Sequence, residues 1–118
     1  MKSELKDFVF PLQMLSNDPN LSGTIGELAD IIYLDANHSY SHVYKDLEIC
    51  DGLLAPNGLV LLDDVGVPHS ADIDLEKRGG VRQALIDYAK THPDWRFTFL
   101  EHPFWLNPCG LAIACKQA

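Results

Sequence analysis

The sequence predicts an α/β fold, a mostly parallel sheet with an antiparallel last strand, on three observations. Two apolar runs each end in acid: Ile31-Ile32-Tyr33-Leu34 before Asp35, and Leu59-Val60-Leu61-Leu62 before Asp63-Asp64. A helix-period pattern lies between them, and the chain closes on two further strand-like runs. Short continuous apolar runs bounded by turn signals are what strands buried on both faces of a parallel sheet look like.

Taken in order, Phe8-Val9-Phe10-Pro11-Leu12 reads as a short strand that Pro11 confines to an edge or an end. SNDPNLSGTIGEL is a loop with room for one helical turn. Asp30–Leu34 is the first buried strand. The helix expected at Ser41–Leu54 places Val43, Leu47, Cys50 and Leu54 at i, i+4, i+7 and i+11, one apolar stripe, with Ser39 or Ser41 as cap. Pro56-Asn57-Gly58 is a turn that delivers the chain into Leu59–Leu62. Residues 66–79 form a polar loop, long for an α/β connection. Gly80 opens a second helix with Val81, Ala84, Leu85, Tyr88 and Ala89 on one side, stopped at His92-Pro93. Trp95–Leu100 is a strand by its aromatic content, and after Pro103 and Asn107-Pro108 the last strand is Gly110–Cys115. The order β-α-β-α-β-β predicts right-handed parallel crossovers and an antiparallel end.

Composition narrows the function classes. With 118 residues the chain is one domain, and 47% hydrophobic with 22% charged residues excludes disorder. A formal charge of −8 argues against a nucleic-acid partner, whose phosphates need Lys and Arg. No apolar stretch approaches the roughly 20 residues of a membrane span, and no basic amphipathic helix suits a membrane surface. The start, MKSELKDFVF, lacks a signal peptide's apolar core. Cys50, Cys109 and Cys115 show no CxxC spacing, so they read as free thiols of a cytoplasmic protein rather than zinc ligands.

In open parallel sheets, ligands bind beyond the carboxyl ends of the strands. Asp35 and the Asp63-Asp64 pair fall at two such ends, on strands expected to be neighbours about 4.8 Å apart. Three carboxylates there suit a hard divalent cation, Mg²⁺ or Ca²⁺, and His38 in the same loop suits a base or a further ligand. The plainer alternative is that each acid solvates a strand end or caps a helix, with Asp64 turning the long loop. His42 and His69 read as exposed. His92 and His102 flank prolines in connecting turns, and Phe104-Trp105 reads as cover for the sheet.

These segments also carry a resemblance. DIIYLDANHSY with Val43, Asp46 and Leu47, then LLAPNGLVLLDDV, then GGVRQAL resemble the C-terminal half of class I S-adenosylmethionine-dependent methyltransferases, and more narrowly the metal-dependent small-molecule O-methyltransferases. The likeness covers roughly residues 30–115, with Phe8–Leu15 matching the strand and loop just upstream. It implies a partial Rossmann-like fold, S-adenosylmethionine and Mg²⁺ or another divalent cation as cofactors, and a small-molecule hydroxyl as acceptor. Asp35, Asp63 and Asp64 match the metal ligands, His38 matches a general base, and Tyr40 matches a packing position. The family's strand followed by a GxGxG turn has no counterpart, since Gly23 and Gly26 follow no strand. Residues 1–118 are therefore expected to be a single truncated methyltransferase-like domain, with its cofactor-binding residues unassigned.

The same comparison leaves the edge beside Asp30–Leu34 open. A homo-oligomer or a partner chain is expected to pair there, with Phe8–Leu12 as a substitute strand. Two readings follow, an O-methyltransferase or a non-catalytic module derived from one. A receiver-type phosphoryl-transfer domain also gathers aspartates at strand ends, but it needs its acidic pair on an earlier strand and a lysine at a later one.

Overall fold

The computed structural model describes residues 5–66, 79–100 and 110–117. The middle of the long loop with His69, and the connection holding His102, Phe104, Trp105 and Cys109, lie outside the described residues. The elements are α1 (Leu21–Ile25), β1 (Ala29–Leu34), α2 (Tyr40–Leu53), β2 (Leu54–Asp63), α3 (Gly80–Thr91), β3 (Trp95–Leu100) and β4 (Leu111–Lys116). After the single turn of α1 this is the expected β-α-β-α-β-β order. In the four-stranded sheet the strands lie β1-β2-β4-β3. β1 pairs parallel with β2, and β4 inserts antiparallel between β2 and β3.

β2 starts earlier than the sequence suggests. Pairing jumps from Ala29↔Leu54 to Ile31↔Leu59, and Asn57 takes a left-handed φ of 64°. The turn at Pro56-Asn57-Gly58 is thus absorbed as a bulge-like detour inside the strand, where extra residues on one strand face fewer on its neighbour.

α2 and α3 pack on one face of the sheet. Val43, Leu47 and Cys50 from α2 meet Val81, Ala84, Leu85 and Tyr88 from α3 over Val60, Leu62, Ala112 and Ala114. The alanines of β4 let the helices approach closely. Tyr88 ties the layer together: its ring meets Tyr44 edge-on at 5.4 Å and stacks on His92 at 3.8 Å, and its hydroxyl donates to Asp51 at 3.0 Å. Burial pushes the Tyr88 phenol well above its ordinary range and the Cys50 thiol up to about 12. The Tyr40 hydroxyl, as expected of a supporting residue, bridges the helices by donating to Asp87 at 2.8 Å, a bond that holds the Asp87 carboxyl below its usual range.

Three expectations are corrected. Phe8–Leu12 forms no strand: residues 9–15 are irregular, and Phe8 and Phe10 are exposed. Pro11 removes a ladder donor, and among the described residues β1 is an edge strand paired with β2. β1 itself is not buried on both faces, for Ile31 is 64% and Tyr33 56% exposed. Both long helices lie on the Ile32/Leu34 side, and among the described residues no helix packs on the other. His42, expected to be exposed, is largely enclosed. Among the described residues no helix is long and apolar enough to cross a membrane.

Candidate functional site

The carboxyl ends of β1 and β2 lie side by side, because Leu34 pairs with Leu62. Each strand hands its next residues to the same rim: Asp35-Ala36-Asn37-His38 after β1, Asp63-Asp64 at the end of β2. The first of these loops is organised by its own polar groups. Asn37 accepts the backbone N–H of Ser39 at 2.8 Å through its side chain, an Asx turn that starts α2 one residue later. Ser39 occupies the N-cap position, although its hydroxyl makes no capping bond.

This geometry brings three of the four predicted residues together. His38 Nε2 lies 2.9 Å from Asp64 Oδ2 and 3.4 Å from Asp35 Oδ1. One ligand atom from each of the three falls within 4.8 Å of the others. Asp64 reaches this position with a left-handed φ of 59°, a conformation uncommon outside glycine, Asn and Asp. Asp63 points elsewhere. Strand alternation sends it to the uncovered face, where it accepts a long 3.5 Å bond from the Tyr33 hydroxyl and caps the Asp64 N–H at 2.9 Å. Partial burial, together with the negative charge of Asp63, raises the Tyr33 phenol above its ordinary pKa.

The donor set suits a cation. Two carboxylate oxygens and an imidazole nitrogen, all partly exposed, leave room for the water ligands that Mg²⁺ or Mn²⁺ retains. The same Nε2 cannot ligate a cation and donate to Asp64 at once, so His38 serves either as a ligand or as a proton carrier.

Beneath the rim lies a small cavity of about 10 Å³, lined by Leu34, Asn37, His38, Asp46 and Asp63, room for about one water. Asp46 is missing from the sequence-derived residues. It is 3% exposed, and one of its carboxylate oxygens has no hydrogen-bond partner among the described residues. Burial raises its pKa, against the lowering effect of a Ser16 hydrogen bond and of His42. His42 Nε2 sits 3.0 Å from Ser16 Oγ and 3.6 Å from Asp46 Oδ1, while the Asn17 amide donates to Nδ1 at 3.3 Å. This network pins the segment before α1 to the first turns of α2. The signal was available: Asp46 stands at i+3 from Val43, on the core side of the stripe.

The methyltransferase domain family matches residues 2–65, a span that contains Asp35, His38, Asp63 and Asp64. Among solved structures, the chain is similar to the O-methyltransferase from Bacillus cereus in complex with SAH, at 18% identity and TM-score 0.56, over 77% of this chain and 41% of that one. It is also similar to cofactor-bound Rv0187 from MTB, at 18% identity and TM-score 0.62, over 83% of this chain and 44% of that one. A SAM-dependent methyltransferase from Bacteroides fragilis in complex with S-adenosyl-L-homocysteine aligns at 13% identity and TM-score 0.55, over 87% of this chain and 52% of that one. The chain thus spans about half the length of these structures, and at such identities the likeness is one of fold. No curated protein sequence matches it.

Proposed function

The chain belongs to the methyltransferase domain family, and from that premise we propose that it carries the acceptor side of an S-adenosylmethionine-dependent O-methyltransferase acting on a small-molecule hydroxyl. One observation carries the reading: Asp35, His38 and Asp64 converge at the carboxyl ends of two parallel strands, where α/β sheets bind their ligands. The structural relatives crystallised with SAH or cofactor support it.

In this reading Asp35 and Asp64 would hold Mg²⁺ or another divalent ion, while Asp63 supports the loop through its bond from the Asp64 N–H. Such an ion, when bound, supplies positive charge that favours the ionised form of an acceptor hydroxyl. His38 takes the acceptor's proton on its imidazole. Asp64 and Asp35, at 2.9 and 3.4 Å, then stabilise the resulting imidazolium and fix the ring's direction. The rigid ends of β1 and β2 hold these groups in place, so the acceptor oxygen is oriented before it reacts.

Titration calorimetry with Mg²⁺ and with S-adenosylhomocysteine tests both parts. Mg²⁺ binding is expected in the wild type and at least about tenfold weaker in Asp35→Ala and Asp64→Ala, since loss of an outer-shell partner alone costs about 10- to 100-fold. The absence of any Mg²⁺ heat would sink the metal site. A second reading is a non-catalytic methyltransferase-derived module; Gly23 lies within α1 and Gly26 caps it, so neither is assigned to the cofactor. Mg²⁺ heat without S-adenosylhomocysteine heat would select this module.

A further inference from the structure

We propose that Asp46 is a positioning residue for the rim: one water in the cavity beneath it, held by the buried carboxylate, ties the Asp35–His38 loop to α2. The proposal rests on the reading of that rim as the acceptor side, and it is drawn from the cavity, the carboxylate and the loop above them.

The cavity lies inside the helix–sheet layer and not at an edge of the sheet. Leu34 from β1, Leu62 from β2, Val43 and Asp46 from α2 and Val81 from α3 form its walls, with Asn37 and His38 above. Its volume of about 10 Å³ admits one water and no larger ligand. The aliphatic walls offer a guest no hydrogen bond. A cavity with only such walls stays dry, whereas a carboxylate in the wall gives water an acceptor.

Asp46 supplies that acceptor. It is 3% exposed, and its Oδ1 has no hydrogen-bond partner among the described residues. His42 Nε2 stands 3.6 Å from this oxygen, beyond hydrogen-bond reach, and is engaged by Ser16 Oγ at 3.0 Å. A buried acceptor left so costs its full desolvation, and a water donating to it removes that cost. A metal ion fits less well, because Mg²⁺ requires near-octahedral oxygen ligands that aliphatic walls cannot complete. A buried water needs about two to four polar partners, and the loop offers the rest. Asn37 keeps its amide N–H groups after its side-chain oxygen accepts the Ser39 N–H, and His38 keeps Nδ1 while Nε2 faces Asp35 and Asp64.

What the bridge holds is the loop. The side chains of Asp35 and His38 are each 45% exposed, so packing alone does little to fix them. α2 is fixed, with Leu47 fully buried in the core and Asp46 one position before it. Through the water, the rigid helix sets where Asn37 and His38 stand, and with them the distances at which Asp35 and His38 meet Asp64. In this role Asp46 acts on the loop and not on the acceptor.

Water-selected NOE and ROE spectra of the isotope-labelled full chain test the water directly and need no variant. The methyl groups of Val43 and Val81 are expected to show water cross-peaks of opposite NOE and ROE sign, the mark of an immobilised molecule. Asp46→Asn keeps an acceptor oxygen and is expected to keep those peaks, whereas Asp46→Leu is expected to lose them. In Asp46→Leu of unchanged circular dichroism, the Ser39 amide should exchange faster with solvent. Mg²⁺ should bind it about tenfold more weakly, the loss usual for an outer-shell partner. Both effects should be reversed in Asp46→Asn. Absent cross-peaks in the wild type, peaks that persist in Asp46→Leu, or a Ser39 amide or Mg²⁺ affinity indifferent to that variant would each overturn the proposal. If the wild type itself binds no Mg²⁺, the metal reading of the rim falls, while the cross-peaks and the Ser39 amide still decide the role of Asp46.

Discussion

Asp46 shows how a single buried charge sets a pH dependence. Enclosure beneath α2 disfavours its ionised form more than Ser16 and His42 favour it, so its folded pKa stands above its unfolded value. Such a group contributes stability that is fully present below the unfolded carboxylate pKa and is lost as pH rises through the raised folded one. At neutral pH the carboxylate is therefore a cost, increased by the oxygen that no protein hydrogen bond reaches among the described residues. Asp46→Asn keeps the shape and the bond to Ser16 while removing the charge. Its Tm is expected to exceed that of the wild type at neutral pH, the gain shrinking towards zero in acid. A thermal melt series across pH checks this, and a variant less stable at pH 7 would refute it. The neighbouring carboxylates show which part of the site was readable in advance. Asp35, His38 and Asp64 could be placed at strand ends from the apolar runs before them. The outward turn of Asp63 could not, because it depends on which phase of the strand alternation faces the helices.

Among the elements, β2 carries the detour that distinguishes it from a regular strand, and Gly58 makes that detour possible. A Cβ at Gly58 would stand 2.6 Å from the Leu54 Cδ1 and 2.9 Å from the Ala55 carbonyl oxygen. The leucine tip can move, but the backbone oxygen cannot move cheaply. Gly58→Ala is expected to cost about 1–3 kcal/mol, the usual range for overpacking, read as a lower denaturant midpoint at unchanged m-value. Gly110→Ala should cost a similar amount, because Gly110 holds a φ of +66° and a Cβ there would sit 3.0 Å from the Gly66 nitrogen. The helices and β3 were legible because their periodicity matches how they bury. α2 follows the Val43–Leu47–Cys50 stripe, and β3 spans Trp95–Leu100 as its aromatic content predicts. The detour was not legible, since Pro-Asn-Gly marks a turn and a bulge equally well.

At the scale of the whole molecule, the apolar run Ile31–Leu34 looked doubly buried because sequence records hydrophobicity and not what covers it. With α2 and α3 on one side, the described residues form two layers, a sheet and its helices. The covered layer has a further use. Cys50 sits at its centre, 3% exposed, with a thiol that burial holds up near 12. A thiolate reagent needs both access and ionisation, so modification of Cys50 must wait for the layer to come apart. Its labelling rate in a chain carrying Cys109→Ser and Cys115→Ser should track the global opening equilibrium, falling in step with added stability. Labelling that outpaces amide exchange of the core would show the layer opening locally. The least reactive cysteine thus becomes a clock for the integrity of the fold.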